Sequence, residues 1–324
     1  MQNYSFIQKE LHKLLLSRKF IKKIFFEIEK SIFLEKKFDF NSYKHVFIAG
    51  LPRSGTTALL YYLYNSNNFA SLTYSNMPFI MAINFFSIFQ KKKNNKYLKE
   101  RAHKDGIFFN VESPEAFDEI FFSTFDDTEV RTELLNFIAL ILKNKKKKRY
   151  LSKNNLHYKR INIIQKILPN SIFLIPYRDP LQTANSLLKQ HLNFINLQEK
   201  DPFVLKYMDY VGHNEFGLHH KPWNKPTSFS NINDINYWLE QWFLFYREAF
   251  KNLKNKDKCF FVRYEQLDDE NYINKLNQIT GLNEKPSNFK FSLSSEKNIH
   301  KYDKKMYLYS NDLYNLINDN SILI

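Results

Sequence analysis
Short continuous apolar runs, each closed by polar residues, recur three times along this chain. The first is His45-Val-Phe-Ile-Ala49, which leads through Gly50-Leu-Pro-Arg-Ser-Gly55 into a helix expected over 56–65. The second is Ser171-Ile-Phe-Leu-Ile-Pro-Tyr177, followed by Arg178-Asp179 and a helix over 180–191, where Asp179 suits the N-cap and Pro180 the first helical position. The third is Lys258-Cys-Phe-Phe-Val262, ending in Arg263-Tyr264-Glu265. Runs of this kind, interleaved with helices, predict strands of a parallel sheet buried on both faces.

Ile161, Ile164 and Leu168 predict a helix over 156–168. Ile235, Trp238, Leu239, Trp242 and Tyr246 mark another that leads to the strand over 258–264. Ile21, Ile24, Phe25, Ile28 and Ile32 also keep helical spacing, with Lys22, Lys23, Glu27 and Lys30 opposite. That pattern reads as an amphipathic helix packing its isoleucine face on the domain, with an interfacial membrane helix as the alternative. Residues 66–135 show no second clean strand-helix unit and read as an insertion beside the site; 198–232 read as a polar, His-rich excursion. No repeat or Pro/Gly/Ser-rich linker divides the chain. The expected fold class is therefore α/β, a mostly parallel central sheet flanked by helices with helical insertions. It forms one domain over 1–324, with amphipathic helices in 1–40, a core over 45–270 and a C-terminal extension over 271–324.

Glycine usage sharpens the first motif. The chain has 6 glycines in 324 residues, where average usage of roughly 7% would give about 23. A pair at Gly50 and Gly55 between a strand and a helix therefore points to backbone chemistry, a loop that aims N–H groups and a helix N-terminus at an anion. The spacing matches a Walker loop, but Thr56 stands where the phosphate-gripping Lys belongs and the cation lies inside the loop as Arg53. Pro52-Arg53-Ser54-Gly55-Thr56-Thr57 instead resembles the 5′-phosphosulfate loop of sulfotransferases that use 3′-phosphoadenosine 5′-phosphosulfate (PAPS). Arg178 with Ser186, in the second motif, resembles the pair that holds the 3′-phosphate in that family. The strand ending in Arg263-Tyr264-Glu265-Gln266-Leu267 resembles its late strand, and Tyr150-Leu-Ser-Lys153 the stretch that carries a catalytic Lys in tyrosylprotein-type and bacterial members. The resemblance covers about 45–270 and implies a P-loop-like sulfotransferase architecture.

It also implies roles. Arg53, with Ser54, Gly55, Thr56 and Thr57, would hold the 5′-phosphosulfate through backbone and hydroxyls. Arg178 and Ser186 would hold the 3′-phosphate, Tyr264 would line the nucleotide site, and Lys153 would be the second cation. PAPS would be the co-substrate, no metal being required. The Glu that tyrosylprotein-type members place about twenty residues after the loop is missing from Ser71-Leu-Thr-Tyr-Ser-Asn-Met-Pro78. The first carboxylate-bearing segment after it offers His103, with Asp105 as orienter, as general base; an unperturbed imidazole titrates near the operating pH. Glu112 and Glu115 remain alternates, and Glu115 also reads as completing a helix cap after Ser113 and Pro114.

The acceptor is open among the hydroxyls and amines of a carbohydrate, lipid or small molecule. Two other classes compete: a P-loop kinase or nucleotide hydrolase, and a non-catalytic nucleotide- or polyanion-binding module. His213-Asn-Glu215-Phe-Gly-Leu-His219-His220 lacks the H-E-x-x-H register of a zinc site and reads as a lid or acceptor-contact loop. Net charge is +15, a field that attracts nucleotides and anionic surfaces. Part of it reflects a Lys-, Asn- and Ile-rich composition, and the runs over 91–93 and 145–148 read as solvated loops rather than nucleic-acid patches. The single cysteine, Cys259, excludes an internal disulfide or zinc finger and reads as a buried inert thiol. With no signal-peptide pattern and no apolar run of membrane-spanning length, a cytoplasmic protein with only peripheral membrane contact is expected.

Overall fold
The computed structural model describes residues 4–35, 38–89, 99–100, 108–253, 257–283, 286, 289–291 and 300–321. Five strands form the central sheet: β1 (Val46–Ile48), β2 (Phe69–Ala70), and then, after the pair β3 (Lys99–Glu100) and β4 (Phe108–Phe109), β5 (Arg149–Lys153), β6 (Ile172–Tyr177) and β7 (Cys259–Arg263). Their order is β2-β5-β1-β6-β7, and every neighbouring pair is parallel. The α/β class with a parallel sheet is thus as the sequence leads one to expect. β3 and β4 pair antiparallel outside this sheet.

The apolar runs are buried on both faces, as a covered parallel sheet requires. Val46 and Ile48 of β1 point into one core with Leu59, Leu60 and Leu63 of α3 (Thr56–Asn65). Phe47 and Ala49 point into the other, larger one. That second core takes in α6 (Asp127–Lys145), α7 (His157–Ile167), α8 (Pro180–Lys200), α9 (Pro202–Val211) and α10 (Ile235–Leu253). Trp238, Leu239, Trp242 and Tyr246, the spacing that predicts α10, are all fully buried. α11 (Glu270–Thr280) covers the first core. α12 (Lys304–Asn318) packs on α8 and α10, so residues after 270 complete both cores.

β5 is the strand at which β1 and β2 are separated, and β1 has β5 on one side and β6 on the other. Ligands in open α/β sheets bind outside the strand C-termini where the order reverses. Because all five strands run the same way, the C-termini of β1, β5, β6 and β7 lie along one edge of the sheet.

Several expectations differ from the structure. Residues 66–135 carry β2, short helices α4 (Ile83–Ser87) and α5 (Glu119–Thr124), and the start of α6. α6 opens with a capping box in which Asp126 accepts from the Glu129 N–H and Glu129 reaches back to Asp126. Of the lysines at 145–148, Lys145 ends the helix, where a cation favours its negative pole, Lys146 is its left-handed cap, and Lys147 and Lys148 lie in the connection to β5. The helix after the second strand runs to Lys200 and is followed at once by α9, so the irregular excursion starts only at Gly212.

In the N-terminal pair α1 (Phe6–Leu16) and α2 (Lys19–Phe33), the isoleucine face of α2 is inverted: Ile24, Ile28 and Ile32 are exposed, while Lys22, Phe26 and Glu29 are buried. The reason is electrostatic as well as apolar. Glu29 accepts from the backbone N–H groups of Asn84 and Phe85 at 2.7 and 2.9 Å, serving the orphan donors at the start of α4. Cys259 is half-buried, with Gln165 Nε2 at 3.6 Å from its sulfur, rather than enclosed. Among the described residues no helix is long and apolar enough to cross a membrane.

Candidate active site
The loop after β1 turns on three strained or crowded positions. A Cβ on Gly50 would lie 2.6 Å from the Pro176 carbonyl oxygen of β6, so this glycine is required by the close approach of loop and strand. Gly55 sits at φ +90°, and a Cβ there would stand 2.0 Å from the Tyr264 ring. Arg53, although not a glycine, also holds a left-handed φ of 68°, a conformation that costs on the order of 1–3 kcal/mol and clusters at functional turns. Ser54 is fully buried, and its hydroxyl lies 2.7 Å from the Leu51 carbonyl and 3.0 Å from that of Pro176. The Ser54 side chain thus pins the loop to the sheet, contrary to its expected place as a phosphate-facing hydroxyl. No side chain caps α3, which leaves the N–H groups of its first turn for an anion.

The two motifs expected to hold phosphate meet. Arg53 Nε donates to Ser186 Oγ at 2.8 Å, joining the loop after β1 to the second turn of α8. Arg178 follows β6, donates to Gln182 Oε1 at 2.6 Å and has its guanidinium 5.6 Å from the Tyr264 ring centroid. Asp179 caps α8 by accepting from the Gln182 N–H at 2.8 Å, and its own N–H donates to Glu265 Oε1 at 2.8 Å. Gly55, Tyr264 and Arg178 therefore stand in contact series along the sheet edge.

Beside the loop lies a cavity of about 110 Å³ whose walls include Arg53, Thr56 and Thr57. Lys153, at the C-terminal end of β5, and Glu115 face it as a buried ion pair, with Nζ to Oε1 at 2.9 Å. Tyr74 donates its phenolic O–H to the other Glu115 oxygen at 3.0 Å. Segment 110–116 reaches this place by running beside 72–75, with a bridge between Thr73 and Pro114 and the Glu115 N–H donating to the Leu72 carbonyl. It is not a helix start, so Ser113, Pro114 and Glu115 do not form the cap that their order suggests. Glu112 is exposed, contacts Ser75 and Lys145, and is not a wall of the cavity. His103 and Asp105 lie outside the described residues.

Buried polar ties hold the Lys153 strand end against the Glu115 segment. Ser152 Oγ bonds Asp118 and lies 2.6 Å from His157 Nε2, which is also 3.1 Å from Asp118. Burial opposes the Asp118 charge, but His157, Ser152 and Arg160 outweigh it and keep the carboxyl below its usual range. On the other side of Lys153, Asn154 donates to Glu119 at 2.7 Å, and Arg160 grips the same carboxylate with two bonds of 2.6 and 2.9 Å.

The excursion after α9 supplies the remaining polar wall. His213 gives its Nδ1–H to Glu215 at 3.2 Å and its Nε2–H to the Ala116 carbonyl at 2.9 Å. Burial disfavours the imidazolium, yet the Glu215 carboxylate overcomes this and raises the His213 pKa to about 9. Asn155 also donates to Glu215, at 3.1 Å. His219 instead pairs with Asp209 and His220 with Tyr237 and the Glu215 carbonyl, so these histidines do not converge on one point.

A model of the sulfotransferase family matches residues 45–209, just over half of the chain. The chain belongs to the sulfotransferase family. The matched span of this sulfotransferase-family protein contains the loops after β1 and β6, Glu115 and Lys153. No curated relative matches the chain. Among solved structures it is similar to sulfotransferase STF9 from Mycobacterium avium, at 10% identity and TM-score 0.47 over 96% of this chain and 78% of that one. It is also similar to sulfotransferase STF1 from Mycobacterium tuberculosis, at 12% identity and TM-score 0.48 over 98% and 86%.

Proposed function
We propose that this protein transfers the sulfuryl group of PAPS to a hydroxyl or amine, with Arg53 and Lys153 as the cations and Glu115 as the general base. The observation that carries the reading is the Lys153–Glu115 pair, 2.9 Å apart in a cavity walled on another side by Arg53, Thr56 and Thr57. PAPS supplies a sulfuryl group on a good phosphate leaving group. Arg53 and the N–H groups of the first α3 turn bind its 5′ end; Arg178 and Ser186 bind the 3′-phosphate; Tyr264 sits between these two grips.

Lys153 has three N–H donors, so it serves Glu115 and a sulfuryl oxygen together. Glu115 takes the proton as the acceptor oxygen bonds to sulfur and the sulfur–oxygen bond to the 5′-phosphate breaks. Arg53 and Lys153 then offset the charge that moves to adenosine 3′,5′-bisphosphate. Asp118, Ser152, His157, Asn154, Glu119 and Arg160 act as positioning residues for the base and the cation. Glu115 takes the place that the sequence gives first to His103, because its carboxylate stands in the cavity beside Lys153.

Calorimetry with adenosine 3′,5′-bisphosphate in chelator-treated buffer tests the nucleotide assignment. The reading expects binding without magnesium and well above that of AMP; binding only of ATP with magnesium would replace it with the kinase or hydrolase class.

A further inference from the structure
The cavity wall carries two chemistries. Arg53, Thr56, Thr57, Lys153 and Glu115 are polar, whereas Phe117, Phe194, Met208, Val211 and Phe216 are apolar. Among the remaining polar wall groups His213 and Glu215 satisfy each other, while Asn155 Oδ1 is buried without a hydrogen-bond partner among the described residues and offers a single acceptor. Glu215 Oε1 accepts from both His213 and Asn155, and the second His213 N–H goes to the Ala116 carbonyl. The His213–Glu215 pair carries no net charge as an imidazolium and a carboxylate, so it presents no grip for an anionic group on an acceptor.

The void, about 110 Å³, opens to solvent, so polarity rather than size separates the acceptors. A sugar ring would turn several hydroxyls toward Phe194, Met208, Val211 and Phe216, where each lacks a partner and costs roughly tenfold or more in productive binding.

We infer that the acceptor of this site presents its reacting hydroxyl on an uncharged, apolar group, a phenol or simple alcohol, and that sugars are poor acceptors. This specificity rests on the sulfuryl-transfer reading above. Glu115 takes the hydroxyl proton, the oxygen–sulfur bond forms, and adenosine 3′,5′-bisphosphate leaves. The five apolar residues determine which hydroxyl arrives there.

The test is transfer of labelled sulfate from PAPS by the full chain to four probes: phenol, cyclohexanol, glucose and N-acetylglucosamine. Calorimetry with adenosine 3′,5′-bisphosphate runs on the same preparation. The expected result is kcat/KM for phenol or cyclohexanol at least 100-fold above that for either sugar. Met208→Trp and Val211→Phe, each filling the apolar wall, should lower kcat/KM for the better probe tenfold or more with bisphosphate affinity within about twofold. Sugars used as well as phenol and cyclohexanol overturn the inference while leaving sulfuryl transfer intact. So does a protein that binds the bisphosphate but transfers to none of the four probes, or a pair of folded wall variants with unchanged kcat/KM. A folded protein that binds no bisphosphate overturns the sulfuryl-transfer reading and this inference with it.

Discussion

Replacing Glu115 by glutamine separates base from binding residue, because the two roles move affinity and turnover in different directions. Glu115 Oε1 stands 2.9 Å from Lys153 Nζ, and the two side chains are only 10% and 9% exposed. The glutamine oxygen can still accept from Lys153, so what is lost is the charge of the bond, about 1–2 kcal/mol. In a chain of this size that is a fall of a few degrees in melting midpoint. The Lys153 cation then has no carboxylate competing for it, so adenosine 3′,5′-bisphosphate or PAPS should bind as well as to the wild type or better. Turnover should fall nonetheless. General-base removal costs roughly 10²–10⁴ in rate, which is about 3–5 kcal/mol of transition-state stabilisation. Bisphosphate calorimetry, a melting curve and single-turnover transfer from labelled PAPS read the three quantities on one preparation. A folded Glu115→Gln protein that keeps most of its rate refutes Glu115 as base. A parallel loss of nucleotide affinity and rate would show instead that the pair merely shapes the site.

Three other perturbations test neighbouring parts of the account. Arg178→Ala should narrow the preference for adenosine 3′,5′-bisphosphate over AMP by about tenfold or more, since a charged hydrogen bond is worth roughly 1.5–3 kcal/mol; an unchanged ratio by calorimetry removes the 3′-phosphate assignment. Gly55→Ala places a Cβ 2.0 Å from the Tyr264 ring at φ +90°, so it should lower the melting midpoint and weaken bisphosphate binding together; a variant with wild-type values in both would mean the loop relaxes freely. His213 has its pKa raised to about 9 by Glu215 against the opposing effect of burial. Its contribution to stability is therefore complete below the unfolded value near 6.5 and is lost as pH rises through about 9. His213→Gln should remove that part of the pH dependence of melting, and an identical wild-type and variant profile between pH 6.5 and 9.5 would contradict the ion pair.

The strands that precede the expected phosphate motifs, and the late strand, were legible because a buried parallel strand writes itself as an unbroken apolar run, and 46–48, 172–177 and 259–262 each do so. Arg53, Arg178 and Tyr264 could be placed at strand ends for the same reason. β5 was not, since Arg149-Tyr-Leu-Ser-Lys153 keeps polar side chains within a strand; burial of Ser152 is compensated by His157 in the next helix and by Asp118, which is distant in sequence. Lys153 was found by resemblance alone. Glu115 was visible only as one of several carboxylates. What brings it to Lys153 is the bridge of segment 110–116 to 72–75, a long-range pairing with no local pattern. α6 did have a local signal, the Asp126-x-x-Glu129 capping box before Val130, Leu134, Phe137 and Ile141. The inversion of α2 was hidden because Glu29 is buried by capping α4, and no periodicity announces a carboxylate whose partners lie 55 residues on. His213 and Glu215 stand in the cavity wall, at the place where an acceptor-contact loop was expected, and their pairing was invisible until Ala116 came beside them.

The central claim is that Arg53 and Lys153 act on a sulfuryl group held by the loop after β1 while Glu115 takes the proton of the acceptor. Following labelled sulfate from PAPS in wild type, Arg53→Ala and Lys153→Ala, with bisphosphate affinity measured alongside, tests it most directly. The account predicts magnesium-independent transfer by the wild type and a larger loss of turnover than of affinity in both variants, with Arg53 the more severe. A wild-type protein that binds the bisphosphate but moves no label to any hydroxyl or amine, or a Lys153→Ala variant with wild-type turnover, would contradict it.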